Sequence, residues 1–209
     1  VHPGDHGSLI AAIRVLTLSF ILKLFMQLIT TPRLLLRPLT PEVFANVFTN
    51  MSKREQMEFF GCSTEAEWME TRKKFEEGLS MYRKSFLIFQ LLEKESSAVI
   101  GWCGYHTWYL KHRRAEIGYV MSDEKSKGKG LMKEALGFVL DYGFTTMNLN
   151  RVEAFVAPDN EVSLKLLRAF NFTQEGLMRK HYFYNDQFDD SLVFSLLQEE
   201  YEGGKELRK

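Results

Sequence analysis

Two glycines and three lysines are spaced so that they could bind a phosphate group. They lie in the segment Lys125-Ser-Lys-Gly-Lys-Gly-Leu-Met132, which follows a strand-like run and opens a helix-like one. Because glycine has no Cβ, Gly128 and Gly130 let the backbone turn tightly and approach a ligand closely. The first amides of the following helix have no intrahelical partners and favour an anion such as a pyrophosphate. A solvated basic turn is the alternative interpretation, and the neighbouring elements decide between the two.

The order of elements around this loop favours the phosphate-binding interpretation. Residues 115–121 predict the strand that enters the loop, and residues 131–144 predict the helix that leaves it. A second strand is predicted over residues 151–157, and a helix follows it with an apolar face made of Val162, Leu166, Leu167 and Phe170. This order gives a right-handed crossover, and ligands of such sheets lie at the carboxyl ends of the strands.

Further elements on both sides of this unit complete a mixed sheet. Helices are predicted to begin at Thr40 and Thr64, the second running to about Leu79, because each threonine is a suitable N-cap. The remaining strands are predicted over residues 33–38, 86–92, 98–108, 183–184 and 192–197, with a turn at 185–187. We predict an α/β (α+β) fold with a central mixed sheet of about six to seven strands and helices on both faces. The domain spans residues 31–201, and a polar tail covers residues 202–209.

Composition excludes several broad classes of function. The chain has 209 residues, enough for one well-buried domain, and its 45% hydrophobic content is typical of globular proteins. Lys plus Arg and Asp plus Glu both total 27, so no excess of positive charge indicates direct binding of nucleic acid. Two cysteines without a CxxC motif fit a reducing, cytoplasmic location. His106 and His112 lack a second cluster with ligand spacing, so no metal site is predicted.

The N-terminal segment has a different pattern. Residues 9–29 are almost wholly apolar, but Arg14 and Lys23 interrupt them and the amphipathic pattern is poor. A membrane-spanning helix tolerates few charges of this kind. We expect residues 1–30 to form an apolar extension outside the domain; a docked helix and then a membrane anchor are the alternatives.

Six short segments occur in an order that is typical of one enzyme family. They are Thr31-Pro-Arg-Leu-Leu-Leu-Arg-Pro38, Ala115-Glu-Ile-Gly-Tyr119, Lys127-Gly-Lys-Gly-Leu-Met-Lys-Glu-Ala135, Arg151-Val-Glu-Ala154, Asn160-Glu-Val-Ser163 and Phe172-Thr-Gln-Glu-Gly176. With these segments, residues 31–201 resemble the GCN5-related N-acetyltransferases (GNAT), and within them the RimJ/RimL-like group that acetylates ribosomal-protein N-termini. Two features depart from the family pattern: Lys125 replaces its usual Gln or Arg, and no acid precedes the turn at residue 185.

The resemblance implies acetyl-CoA as the donor and a primary amine as the acceptor, with no metal. The acceptor would be a protein N-terminal α-amine or a small amine that attacks the thioester directly, and a homodimer is left open. A backbone N–H on the strand that ends at Met121 would stabilise the charge on the thioester oxygen. The residues implied in binding the donor are Val120, Met121, Lys125, Lys127, Gly128, Lys129, Gly130, Leu131, Met132 and Asn160.

Glu116 is the candidate for handling the proton of the acceptor amine. It shares a predicted strand face with Gly118 and Val120, and this face would border the acceptor cleft. An acid at the sheet edge that pairs with Arg113 or Arg114 is an equally good interpretation.

Ser163 is the candidate for donating a hydrogen bond to the departing sulfur. It lies one helical turn from Asn160, which could bind an amide of the pantetheine arm, and both residues could instead serve only as helix caps. Four aromatic residues could line an acceptor pocket, although core packing explains most of them: Trp102, Tyr105, Trp108 and Tyr109.

Two other functions compete with acetyl transfer. The first is a catalytically silent acetyl-CoA-binding module that acts through protein interaction, which the missing acid before residue 185 keeps open. The second is a nucleotide-binding protein, which the absence of a GxxxxGK[ST] motif disfavours.

Overall fold

The computed structural model describes residues 28–76 and 84–206, which form one eight-stranded sheet with six helices around it. The strands are β1 (Ile29–Thr30), β2 (Leu34–Leu39), β3 (Ser85–Glu93), β4 (Val99–Tyr109), β5 (Arg114–Met121), β6 (Arg151–Val156), β7 (Thr173–Tyr184) and β8 (Gln187–Leu197). The helices are α1 (Pro41–Asn50), α2 (Lys53–Phe60), α3 (Glu65–Glu76), α4 (Leu131–Thr145), α5 (Glu161–Ala169) and α6 (Gln198–Glu206).

The sheet has the order β1-β2-β3-β4-β5-β6-β8-β7. All neighbouring strands are antiparallel except β5 and β6, which are parallel and are joined through α4. The predicted α/β class is confirmed, with eight strands rather than six to seven. The additional strand is β1, which has only two residues, and β7 is much longer than the predicted residues 183–184. The long part of β7 was missed because most of its side chains are exposed and its apolar residues do not alternate with polar ones.

Helices cover both faces of the sheet. On one face, α1 and α2 pack against the sheet through a cluster made of Leu39, Val43, Phe44, Val47, Phe59 and Phe86. On the other face, α4 and α5 bury Leu136, Leu140, Leu164 and Leu167 in the main core. The two faces of β4 and β5 are therefore covered by different helices.

The helix starts follow the predicted caps. The Thr40 side chain accepts a hydrogen bond from the Val43 amide, and Pro41 occupies the first helical position. Thr64 and Glu67 form a reciprocal pair at the start of α3, in which each side chain accepts from the backbone N–H of the other. The predicted end of α3 near residue 79 lies outside the described residues.

The inward face predicted for α5 is partly wrong. Val162 is 80% exposed, whereas Leu164 and Leu167 are buried together with Phe170. A spacing of three residues places these buried side chains on one stripe, and Val162 lies on the opposite side of the helix.

At the C-terminal end, α6 continues to Glu206, past the predicted domain boundary at residue 201. At the other end, β1 begins two residues before the predicted boundary, and residues 1–27 lie outside the described residues. Within residues 28–76 and 84–206, no helix is long and apolar enough to cross a membrane.

Candidate functional site

The parallel pair β5 and β6 separates shortly after it begins. Their register contains three pairs, the last of which joins Glu116 to Glu153. Beyond this point, Ile117–Tyr119 of β5 and Ala154–Val156 of β6 line opposite walls of an open space. Backbone groups of β5 that face this space have no ladder partner on β6. The separation therefore exposes backbone donors and acceptors inside the domain.

A cavity of about 260 Å³ fills this separation, and we call it the gap cavity. Its polar side chains come from four elements and are His106, Glu116, Tyr119, Asn160, Ser163 and Tyr182. Three residues that the sequence analysis selected, Glu116, Asn160 and Ser163, are thus brought together. The other selected residues belong to the end of β5, the loop that follows it and the first turn of α4.

The loop from Lys127 to Gly130 joins β5 to α4, preceded by a short 3-10 turn. Gly128 and Gly130 have φ angles of 73° and 74°, which is the left-handed region where glycine carries no steric penalty. The first intrahelical hydrogen bond of α4 runs from the Glu134 amide to the Gly130 carbonyl (3.2 Å), and Gly130 provides no side-chain cap. The amides of residues 131–133 precede this bond and are available to an anion.

The predicted cations of the loop differ in their surroundings. Lys127 forms an ion pair with Glu124, so its charge is partly neutralised within the turn. Lys125 and Lys129 are exposed. Leu131 and Met132 are half-buried and pack against the main core, which fixes the first turn of α4.

Val120 and Met121, the two predicted donor-binding residues of β5, lie at the end of the strand directly before the loop. Val120 is 45% exposed, on the strand face that carries Glu116, and Met121 packs against the main core. Both positions follow the separation from β6, where β5 no longer has that neighbour.

An arginine that the sequence analysis did not select contacts the loop from outside. Arg33 donates from Nη1 to the Lys129 carbonyl (2.8 Å) and from Nη2 to the Gly130 carbonyl (3.2 Å). Its Nε and its backbone N–H donate to the two carboxylate oxygens of Glu134, at 2.6 and 2.8 Å. Thr31 donates to the same carboxylate at 2.6 Å. Burial raises the pKa of Glu134, but the hydrogen bonds from Thr31 and Arg33 outweigh it and hold the pKa below its ordinary value.

Asn160 and Ser163 form the predicted cap at the start of α5. The Asn160 Oδ1 accepts from the Ser163 amide at 3.1 Å, so the capping interpretation holds. Both residues also line the gap cavity, so capping and ligand contact can coexist. Next to them, burial raises the pKa of Tyr119 to about 12, and the Ser163 side chain acts in the opposite direction. The Ser163 hydroxyl is therefore near that of Tyr119, but no group of the described residues has the geometry of a hydrogen bond to the Tyr119 hydroxyl.

Glu116 lies at the last paired position before the strands separate. Its Oε1 is 3.4 Å from His106 Nε2 and accepts from the Tyr182 hydroxyl at 3.4 Å. Burial raises the pKa of Tyr182, and the charge of Glu116 adds to this shift. The alternative pairing with Arg114 is not seen, because Arg114 donates to Glu153 instead.

Arg113, the other arginine that was considered as a partner of Glu116, contacts Asn148 and Gln198. From the sequence, His106 was considered only as a metal ligand, and Tyr182 was a weak catalytic candidate, because a tyrosine on a closing strand is more often a packing or surface residue. The contacts of these residues with Glu116 could not be predicted from the sequence. They join different strands: His106 lies on β4, and Tyr182 lies 66 positions from Glu116 in the chain.

A second, larger cavity of about 530 Å³ lies on the sheet face that α1–α3 cover, and we call it the aromatic cavity. Its lining includes Leu39, Phe44, Phe60, Thr71, Lys74, Phe86, Ile88, Trp102 and His106. Trp102 and His106 line both cavities, so the two spaces meet at these side chains. Gly118 permits this arrangement, since a Cβ there would lie 2.7 Å from His106 Cδ2 and 3.1 Å from the Trp102 ring. Tyr105, in contrast, is a core residue whose hydroxyl donates to the Val139 carbonyl.

Across the two described segments, no three His, Cys, Asp or Glu side chains are grouped so that they could hold a metal ion.

Comparison with known sequences identifies relatives that match this arrangement. Residues 33–173 match the model of the acetyltransferase (GNAT) domain family. The chain is 44% identical over 115 residues to the uncharacterized N-acetyltransferase p20 of Bacillus licheniformis, a match that covers 55% of this chain and 64% of p20. It is 30% identical over 179 residues to the uncharacterized N-acetyltransferase YoaA of Bacillus subtilis (strain 168), covering 82% of this chain and 97% of YoaA.

Solved structures give the same fold. Mutant forms of the spermidine/spermine N-acetyltransferase SpeG from Vibrio cholerae align with a TM-score of 0.62 at 19% identity, covering 84% of this chain and 99% of that one. The ribosomal-protein-S5-alanine acetyltransferase from Vibrio fischeri aligns with a TM-score of 0.58 at 21% identity, covering 83% and 98%. With two thirds of its length in the family match, and with this fold and this gap between β5 and β6, the chain belongs to the GNAT family of acetyltransferases.

Proposed function

We propose that this protein transfers the acetyl group of acetyl-CoA to a primary amine within the gap cavity. The observation that carries the proposal is the separation of β5 from β6 directly after Glu116, with Asn160 and Ser163 on the opposite wall. The exposed amides at the start of α4 suit the pyrophosphate of the donor, and the unpaired backbone groups of β5 suit its thioester and pantetheine arm. The residues present therefore fit the donor that the family implies.

Glu116 and Ser163 would handle the two protons of the reaction. Glu116 would accept, directly or through a water molecule, a proton from the acceptor ammonium, which frees the nitrogen lone pair. The nitrogen then bonds to the carbonyl carbon, the carbon–sulfur bond breaks with its electron pair staying on sulfur, and the second proton of the nitrogen passes to that sulfur through Ser163 or water, which gives the amide and the CoA thiol. Ser163 would donate a hydrogen bond to this sulfur, and a backbone N–H of β5 would stabilise the carbonyl oxygen. His106 and Tyr182 would hold the Glu116 carboxylate in position, because both contact its Oε1.

The acceptor would be a primary amine on an apolar body, such as the N-terminal residue of a protein or a small amine. The aromatic cavity supports this assignment, because it meets the gap cavity at Trp102 and His106, next to Glu116. Its described lining contains phenylalanine, leucine and isoleucine side chains and one cation, Lys74, but no carboxylate; Glu67, Glu70 and Asp123 line an adjoining pocket, where Glu70 is paired with Lys74. A polyamine carries further ammonium groups that such a wall would leave without counter-charges.

The decisive experiment supplies acetyl-CoA with a panel of amines and detects acetylated products by mass spectrometry. The panel would hold peptides that differ only in the N-terminal residue, together with spermidine, spermine and aminoglycosides. We expect peptides with large apolar first residues to be acetylated fastest. Preference for spermidine would contradict the acceptor assignment and leave acetyl transfer intact. Tight binding of acetyl-CoA with no turnover on any amine would favour the silent acetyl-CoA-binding module instead.

A substitution in the aromatic cavity separates acceptor from donor effects. Thr71 lines this cavity from α3 and is half-buried, so Thr71→Trp should reduce its volume. The kcat/KM for bulky acceptors should fall several-fold, while the KM for acetyl-CoA stays unchanged. Equal losses for all acceptors, small ones included, would show that the cavity does not hold the acceptor body.

A further inference from the structure

Arg33 makes four hydrogen bonds that connect the start of β2 to the glycine loop. Two of them join its guanidinium to the carbonyls of Lys129 and Gly130, and the other two join its Nε and backbone N–H to Glu134. Its side chain is 50% exposed, whereas that of Glu134 is 14% exposed. The guanidinium is thus anchored on a half-enclosed carboxylate and directed at the backbone of the loop.

The two carbonyls belong to peptide groups whose N–H groups are those of Gly130 and Leu131. In a trans peptide the C=O and the N–H point in opposite directions, and the described residues contain no cis peptide bond. By holding both oxygens on one side, Arg33 turns both N–H groups to the other side, at the N-terminal end of α4. A cation on the carbonyl oxygens also polarises these peptide groups, which strengthens their N–H groups as donors to an anion.

The glycines alone cannot provide this orientation. Gly128 and Gly130 adopt left-handed φ angles at no steric cost, but glycine populates other conformations about as readily. A Cβ at Gly128 would meet nothing within 4 Å, and one at Gly130 would meet only Arg33 Nη2 at 3.7 Å. Packing therefore leaves the loop free on that side, and an additional contact must select the conformation that presents its amides.

We propose that Arg33, anchored by Glu134, is a positioning residue that fixes the Gly130 and Leu131 amides for the pyrophosphate of the donor. This inference rests on the proposed function, since it assumes that the donor places its pyrophosphate on the loop. Glu134 is suited to the anchoring role because Thr31, itself buried, also donates to its carboxylate and limits its movement. Pre-organisation of this kind improves affinity by removing the ordering cost from the binding step.

The test compares two donors that share the thioester but differ in the pyrophosphate. Acetyl-CoA carries it, and S-acetylpantetheine does not. In Arg33→Ala we expect kcat/KM for acetyl-CoA to fall about tenfold or more, mainly through KM, because charge-assisted contacts that order the loop are lost. The kcat/KM for S-acetylpantetheine should stay within about twofold of the wild-type value. Arg33→Lys should restore only part of the loss, because an ammonium cannot reproduce the planar fork that reaches two carbonyls and a carboxylate.

A matched control removes a different arginine of the same exposure. Arg72 is 51% exposed and pairs with Glu76 on α3, away from the loop, so Arg72→Ala should change neither donor's kcat/KM. Glu134→Gln keeps the shape of the anchor and loses its charge, and it should shift the acetyl-CoA value in the same direction by a smaller factor. Together with Arg33→Ala it should show less than additive loss.

Three results would overturn the inference. Equal losses with both donors would indicate a general structural role, and no loss with either donor would show that the contacts do not orient the amides. If the wild-type protein binds no CoA in calorimetry, the proposed function fails and the inference fails with it. If the wild-type protein binds CoA and Arg33→Ala leaves kcat/KM unchanged, the inference fails and the proposed function stands.

Discussion

The proposed donor site at the glycine loop and the proposed acceptor site in the aromatic cavity are built from different parts of the chain. In the loop, the donor groups are backbone amides at the start of α4, and Arg33 holds them from behind. In the aromatic cavity, the surface is made of side chains from β2, β3, β4 and α1–α3. A backbone site accepts a chemical group that every donor molecule shares, whereas a side-chain site can change with few substitutions. The comparison explains why the family is evident from the sequence and the acceptor is not.

Ser163→Ala should give the largest effect on the donor side. The variant removes the hydroxyl that would donate to the departing sulfur, and general acids of this kind contribute about 10²–10⁴-fold, with the low end expected for a good leaving group. We expect kcat to fall about a hundredfold at all pH values, with CoA affinity unchanged, because the Asn160 cap uses the backbone amide of Ser163. Tyr119→Phe is the matched comparison, since it removes the neighbouring hydroxyl. A larger loss in Tyr119→Phe would transfer the role to the tyrosine.

Gly130→Val tests the loop as a backbone site. The φ angle of 74° is strained for any residue with a Cβ, and especially for a β-branched one. We expect CoA affinity to fall about tenfold or more in calorimetry, while the backbone strain lowers the melting temperature by about 2–8 °C without unfolding the protein. Gly176→Val is the control, because a Cβ there meets nothing within 4 Å and its φ is not in the left-handed region. Unchanged CoA affinity in Gly130→Val would show that the pyrophosphate does not bind at the loop.

Glu116→Gln tests the residue that lies between the proposed donor site and the proposed acceptor site. The amide keeps the size and polarity of the carboxylate but is a far weaker base. Acetyl transfer should fall mainly at low pH, where acceptor amines are protonated, and the loss should shrink as pH rises. Tyr182→Phe removes one contact of the carboxylate and should cause a smaller loss with the same pH trend. A uniform loss across pH would indicate that Glu116 positions the acceptor rather than accepting its proton.

The sequence predicted the parts of the site that depend on local spacing. Gly128, Gly130 and the Asn160 cap were found because strand, loop and helix signals adjoin them in the chain. The contacts of Arg33 with Glu134 span 101 positions and follow from no periodicity, so they were missed. The contact of Tyr182 with Glu116 was missed for the same reason, and it comes from a strand, β7, that was itself largely overlooked.

The aromatic cavity is a second feature that could not be predicted from the sequence. Trp102 was considered as a pocket residue or a core residue, and the sequence could not separate the two. Its position beside both cavities depends on the pairing of β4 with β5, where Trp102 lies opposite Val120 and next to the side-chain-free Gly118. Pairing partners of this kind are set by the register of two strands, which composition does not reveal.

The smallest predicted effect concerns the closed end of the gap, where β5 and β6 are still paired. This end supports the donor and acceptor sides alike. There Arg151 donates to Glu153 and Glu175, and Ser195 donates to Glu175. The hydrogen bonds from Arg151 and Ser195 lower the pKa of Glu175 from 4.5 to about 2. A carboxyl whose pKa is lower in the folded state stabilises the fold above its unfolded pKa, and this contribution is lost as pH falls from about 4.5 towards 2.

Glu175→Gln should therefore lower the melting temperature at pH 7 by only about 1–3 °C, because an exposed ion pair contributes little. The difference from the wild-type protein should shrink as pH falls through that window and vanish near its lower end. Thermal melts at several pH values measure it, and Glu76→Gln, at the exposed pair with Arg72, is the matched control. If Glu175→Gln also changes the KM for acetyl-CoA or for the acceptor, the closed end is not a passive support. The contrast between a backbone-built donor side and a side-chain-built acceptor side would then have to include the ion pairs that join β6 to β7.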